Sequence, residues 1–183
     1  MNIVTMGIVC LFGCVMLAPG SSEQESASAE RTVALHTYNE FNFTVQAPMT
    51  VAAPFFGANE ERKWAEGWNP KFLKPNPVRD EQGAVFTIAH PGGADAIWVM
   101  TAADFAGGHI QYVYVIPDAM ATLIDIHLTQ SSSRTTAVHV VYERTALRPE
   151  GNAHVEHFAK NDGGQGPEWA DAINGYLKKN GGK

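Results

Sequence analysis

Beyond residue 14 the sequence has no cysteine; its two, Cys10 and Cys14, both lie in an apolar N-terminal stretch. The remainder of the chain therefore has no disulfide, no thiolate nucleophile and no cysteine-ligated zinc. Positive charge is also scarce. Thirteen Lys and Arg stand against nineteen Asp and Glu, a net charge of −6 with the seven histidines neutral. No basic stripe is visible, which argues against nucleic acid as a partner and against docking on an anionic membrane. A Gly-x-Ser-x-Gly elbow, a Walker loop and a Gly-x-Gly-x-x-Gly turn are all missing, so hydrolase triads and nucleotide cradles have no local support. The glycines of "HPGGADA", His90–Ala96, are followed by a strand-like run instead of a helix start, which makes a hairpin turn and not a phosphate site.

What is present is ordinary globular material. The 183 residues, 45 % hydrophobic and 17 % charged, suit one domain with a sizeable core. The N-terminus differs. Ile3–Ala18 is an uncharged, mainly apolar run that would reach about 24 Å as a helix, short of the ~30 Å hydrocarbon core of a bilayer. Pro19-Gly20 ends it, and the polar "SSEQESASAE" contains Ala27-Ser28-Ala29, a small-x-small form suited to signal peptidase. No Lys or Arg occurs before Arg31. The reading is a cleaved export signal over residues 1–29, with an uncleaved anchor as the alternative. A third alternative is a lipoprotein modified at Cys14, although Phe12 and the apolar Val15–Leu17 depart from that pattern. The expected location is periplasmic or extracellular, with no membrane contact after cleavage and a monomeric domain over residues 33–179.

Hydrophobic rhythm organises that domain. Leu35, Thr37, Asn39, Phe41, Phe43 and Val45 alternate with polar residues, a period-two strand with its aromatic end inward. Pro48 opens a short helical stretch, interrupted by Pro54 and Gly57, which predicts two short helices, the second after Asn59 with Glu60 and Glu61 in its first turn. Five strand-like runs follow from residue 84, punctuated by Gly, Pro or Ser, as an antiparallel meander. In the fourth of these, Ile124, Ile126 and Leu128 share one face while Leu123, Asp125 and His127 share the other. The tail is helical: a piece after Gly151-Asn152, a break at "NDGGQG", and a piece from Pro167 with Trp169, Ala172, Ile173, Tyr176 and Leu177 on one stripe. A one-sided sheet and an amphipathic terminal helix must bury their apolar surfaces against each other.

This order resembles the SRPBCC, or START-like, superfamily, which includes polyketide cyclases, lipid-transfer domains and plant pollen allergens. "FFGANEERKWAEGWNPKFL", Phe55–Leu73, and "VYERTALRPEGN", Val141–Asn152, are similar to segments of a bacterial subgroup of that superfamily. The resemblance covers about Val33 to Leu177. It implies an α+β helix-grip fold, a curved antiparallel sheet of six to seven strands wrapped around a long C-terminal helix, with two short helices after the first strand. It transfers no catalytic residue and no cofactor. The "NDGGQG" insertion departs from the family pattern and interrupts the terminal helix.

Within that frame the expected ligand-facing residues are Phe55, Phe56, Trp68, Tyr112, Tyr114, Tyr142 and Arg144. An apolar concave surface carrying a few hydroxyls and one guanidinium suits a small hydrophobic or amphipathic molecule. Trp64 and Trp68, at i and i+4, would share one helical face; Trp64 reads as a plug, Trp68 as plug or ligand mouth. Arg144 either holds a ligand carboxylate or caps strand to helix, with Glu61 as its candidate partner. His154-x-x-His157 has metal-chelating spacing but no third ligand in sequence, and His127 and His139 fit a polar sheet surface; no metal and no cofactor are expected. Tyrosine and arginine are weak general bases at neutral pH, so ligand binding is favoured over a cyclase-like enzyme. A buried carboxylate or histidine at the cavity would reverse that order. A filled space between sheet and helix would leave a structural domain with no ligand.

Overall fold

The alternating patterns do become strands, because each has one face to bury. The computed structural model describes residues 33–90 and 93–180; the export, anchor and lipidation readings, Cys10 and Cys14 included, fall outside that range, as do Pro91 and Gly92. Seven strands form one antiparallel sheet: β1 (His36–Val45), β2 (Lys71–Lys74), β3 (Val85–Ile88), β4 (Ala96–Asp104), β5 (His109–Ile116), β6 (Met120–Ser132) and β7 (Thr135–Ala146). Their order is β1-β7-β6-β5-β4-β3-β2, so β2 to β7 run as a meander and β1 returns beside β7. In β6 the buried positions are Met120, Thr122, Ile124, Ile126 and Leu128, with Asp125 and His127 on the opposite face. The short edge strand β2 has no counterpart in the sequence reading, since four residues flanked by prolines carry no period.

Between β1 and β2 the chain makes a four-residue helix, α1 (Met49–Ala52), and two 3₁₀ turns at Ala53–Phe56 and Glu60–Lys63. The second turn starts after Asn59, as expected, but stops at Lys63, with Trp64 already non-helical at φ −132°. Trp64 and Trp68 therefore do not share a helical face. Gly67, at φ +77°, turns the chain before Trp68. Both indoles still point inward, Trp64 Nε1 donating to Phe55 O at 2.8 Å and Trp68 Nε1 to Ala58 O at 2.7 Å.

The terminal helix comes in two segments, α2 (Asn152–Asp162) and α3 (Gly166–Lys179), separated by the glycine-rich insertion. Both are tied to edge strand β1 by an asparagine amide that donates and accepts at once. Asn152 accepts from Leu35 N at 2.8 Å and donates to Val33 O at 2.9 Å. Asn174 accepts from Gln46 N at 2.7 Å and donates to Thr44 O at 3.0 Å. These contacts occupy backbone groups that an exposed edge would offer to another chain.

Gly151, at the β7–α2 junction, lies so close to the loop before β6 that a Cβ there would sit 2.1 Å from Ala119 O. Backbone cannot yield as a side chain can. Gly151→Ala is expected to cost about 1–3 kcal/mol, the range for overpacking a tight site. Thermal denaturation of the variant checks this, and an unchanged midpoint would show that the junction relaxes freely. Among the described residues no helix is long and apolar enough to cross a membrane.

Candidate ligand cavity

The concave face of the sheet and the stripe of α3 meet through aromatic rings. Trp169 of α3 packs edge-on to Phe41 at 5.5 Å, Phe43 at 6.1 Å and Trp64 at 5.5 Å. A second cluster grows from β3–β5: Trp68 meets Trp98 at 5.2 Å and Phe86 at 6.2 Å, and Trp98 stacks on Tyr114 at 4.1 Å. Such pairs contribute about 0.5–1.5 kcal/mol each beyond the area they bury. Between the clusters lies a cavity of about 50 Å³, lined by Glu61, Trp68, Trp98, Tyr112, Ile124, Ile126, Tyr142 and Trp169.

The walls are largely apolar, and Trp98, Glu61 and Tyr142 bring polar groups to the lining. Trp98 Nε1 is buried and makes no hydrogen bond among the described residues. Neither the Glu61 carboxyl nor the Tyr142 hydroxyl is engaged by any described residue. Glu61 is only 7 % exposed. Burial pushes its carboxyl well above the ordinary 4.5, and the nearby Asp80 charge pushes it further the same way. Burial thus favours the protonated form of this carboxyl over the carboxylate. Burial likewise raises Tyr142, and raises Tyr112 with help from Glu61 and Asp80, so both phenols stay protonated.

Local geometry explains how a glutamate comes to be inside. Asp80 lies over Gly57, where a Cβ would meet its Oδ2 at 2.4 Å, and accepts from Asn59 N at 2.8 Å. That caps the 3₁₀ turn and fixes which of the two adjacent glutamates turns outward. Glu60 pairs with Lys63 at the surface. Glu61, one position on, points into the core.

The residues singled out from sequence separate into three groups. Trp68, Tyr112 and Tyr142 line the cavity. Phe55 and Phe56 are buried beside it, Phe55 against Tyr176 at 5.5 Å, and Phe56 O accepts the Tyr112 hydroxyl at 2.7 Å. Tyr114 and Arg144 belong to a buried ion-pair network. Arg144 donates to Asp162 through Nε at 2.7 Å and Nη2 at 2.6 Å, and through Nη1 to Tyr114 and Thr122. Its guanidinium lies 4.7 Å from the Tyr142 ring centre and 5.3 Å from that of Phe158. Arg144 thus ties strand to helix, with Asp162 as its partner and not Glu61. Asp162 comes from the inserted segment that interrupts the terminal helix.

Sequence reasoning missed Glu61 and Trp98 as cavity residues. Trp98 was legible, since it shares a face of β4 with buried Ala96 and Met100. Glu61 was not, because a second acidic residue in a first helical turn normally faces water. His154 and His157 line a surface groove of about 570 Å³ with His90 and Phe158. His139 Nε2 donates across to Glu40 Oε2 at 3.2 Å on the outer face.

No protein-family model matches the sequence, and no curated protein matches it. Solved structures do match the fold. Norcoclaurine synthase from Thalictrum flavum, a point mutant bound to a transition-state analogue, is 12 % identical over 81 % of this chain and 98 % of its own, with a TM-score of 0.60. Ara h 8.0201 is 13 % identical over 79 % of this chain and 99 % of its own, at 0.54. An uncharacterised protein from Rhizobium leguminosarum is 14 % identical over 80 % and 97 %, at 0.56. The domain has the α+β helix-grip fold of these START-like structures, as its element order implied.

Proposed function

We propose that the domain binds a small, flat, mainly apolar molecule with a neutral oxygen at one end, and that Glu61 acts on it as a general acid–base. One observation carries this reading: a buried, unpartnered indole N–H lines a single aromatic-walled cavity together with a buried glutamate and a buried tyrosine, Glu61 and Tyr142. Leaving a buried donor such as Trp98 Nε1 unpaired costs about 1–3 kcal/mol, which favours something in the cavity that satisfies it. A carbonyl or hydroxyl oxygen would accept from Trp98 Nε1 and from the Glu61 acid. A carboxylate end is disfavoured, because Arg144, the cation nearest the cavity among the described residues, is already neutralised by Asp162.

A cavity of about 50 Å³ holds a water or two, each of which occupies about 30 Å³, and not a ring. Ligand entry therefore requires Trp68 and its segment to swing outward. That segment, 58–70, is anchored by the Trp64 indole bond to Phe55 O, the Asn59 N bond to Asp80 and ring packing, and not by sheet pairing. A norcoclaurine synthase neighbour is described with dopamine and hydroxybenzaldehyde, which makes hydroxybenzaldehyde a suitable first probe.

Titration of the purified protein with hydroxybenzaldehyde is expected to quench tryptophan fluorescence saturably, since three of the four indoles line the cavity. Native mass spectrometry of the same protein would find a co-purifying small molecule. Absence of both effects would leave the filled-core, ligand-free domain as the correct reading. Export of a monomeric domain belongs to the same proposal. It is tested by N-terminal mass spectrometry of fractionated cells, where an intact Met1 on a cytoplasmic species would refute it and a lipidated Cys14 would select the lipoprotein alternative.

A further inference from the structure

The outer face of the sheet, opposite the cavity, carries a second set of chemistry-bearing side chains. His109 on β5 and His127 on β6 are register partners. Their rings stack 4.6 Å apart and within 7° of parallel. Both Nε2 atoms converge on one carboxylate, His109 at 2.8 Å from Asp125 Oδ1 and His127 at 3.1 Å from Oδ2. The three prospective ligand atoms lie within 4.8 Å of one another.

We propose that His109, Asp125 and His127 form a solvent-facing binding site for a divalent first-row transition metal such as zinc. The ligand types suit it: two neutral imidazoles and one carboxylate are borderline donors that zinc, copper and nickel accept, and that calcium and magnesium do not favour. The spacing suits it as well. A tetrahedron with metal–ligand bonds of about 2.1 Å has edges of roughly 3.4 Å. An ion would open the present nitrogen–oxygen distances of 2.8 and 3.1 Å by roughly 0.3–0.6 Å, a scale that side-chain rotation can supply.

The carboxylate is positioned from behind. Gln111 Nε2 donates to Asp125 Oδ1 at 3.2 Å, and Thr101 Oγ1 holds the Gln111 side chain at 2.8 Å. This chain of bonds runs across β4, β5 and β6, and supporting contacts of this kind fix the orientation of metal ligands. Partial exposure of both histidines leaves room for a water or a substrate atom at the fourth position. The net charge of −6 favours a cation at the surface. His139, beside His127 on β7, is engaged by Glu40 and is not required. Across the strand, Ile124 and Ile126 flank Asp125 and line the cavity, so an ion here clamps the outer side of the cavity wall.

The test is calorimetric titration of chelator-treated full-length protein with zinc chloride. One equivalent is expected to bind. His109→Gln, Asp125→Asn and His127→Gln should each weaken binding at least tenfold, and Gln111→Ala by about tenfold. Because these side chains are surface-facing, the variants should keep the wild-type circular dichroism spectrum. His154→Gln/His157→Gln, in the groove over α2, should bind as wild type does. Absence of zinc binding, or binding that survives Asp125→Asn and disappears in the His154/His157 variant, would overturn the assignment. None of these readouts depends on a ligand in the cavity.

Discussion

Arg144→Met is expected to destabilise the domain by roughly 3–5 kcal/mol, the cost of stranding one charge of a buried ion pair. Arg144 is 3 % exposed and Asp162 fully buried, and the two share two short hydrogen bonds. Methionine keeps length and apolar bulk, so the loss reports charge and not volume. Asp162 would be left without its guanidinium, and Tyr114 and Thr122 would lose their donor. The double variant Arg144→Met/Asp162→Leu should recover most of the loss, because replacing both members of a buried pair by apolar groups is often neutral or stabilising. Urea denaturation measures both. A single-variant loss below about 1 kcal/mol would mean that the pair does not tie β7 to α2. Affinity for hydroxybenzaldehyde, measured where the variant is folded, should be unchanged; a large loss would restore Arg144 as a ligand contact.

Glu61 should behave in the opposite way, with its removal stabilising the fold while impairing the site. Its folded-state carboxyl titrates well above the ordinary 4.5 because of burial and of Asp80. A raised carboxyl contributes full stability below the unfolded value, and that stability is lost as pH rises through the folded value. Glu61→Gln removes this titration. Its stability should match wild type near or below pH 4.5 and exceed it increasingly as pH rises, by about 1.4 kcal/mol for each unit by which the fold raises the group. Thermal unfolding across pH, as the difference between variant and wild type, separates Glu61 and its coupling to Asp80 from the titration of Asp125. A difference that is flat with pH would show that Glu61 titrates normally. The two substitutions also separate binding from catalysis. Glu61→Leu deletes the hydrogen-bond donor and should weaken hydroxybenzaldehyde about tenfold. Glu61→Gln keeps a donor, so binding should persist while proton-transfer turnover falls by roughly 10²–10⁴-fold.

Strand alternation made the sheet legible from sequence. Residues such as Ile124, Asp125 and Ile126 on β6 announce their faces because a period of two leaves no other choice once one face is buried. The stripe on α3 and the break at Gly163-Gly164 were legible for the same kind of reason, local periodicity and local conformational preference. Tyr112 and Tyr142 could be placed inward by counting along a strand. The ion pair could not be assigned a partner, since Arg144 and Asp162 meet only after α2 folds back over β7.

Glu61 shows most clearly where local pattern stops. Two adjacent glutamates in a helical first turn look alike in sequence, and either could face water. Asp80, Gly57 and the early end of the turn at Lys63 decide that Glu60 pairs with Lys63 while Glu61 goes inside. The same holds for the outer face, where His109, Asp125 and His127 come from two strands whose register alone brings their ligand atoms together. By itself, the sequence determined the class of container, its one-sided sheet and its terminal helices, because those follow from short-range periodicity. Which polar groups the container holds, and whether they are paired, was decided only by tertiary structure. Pairing depends on distances between side chains far apart in the chain, and those distances exist only once the sheet has curved and the helices have closed on it.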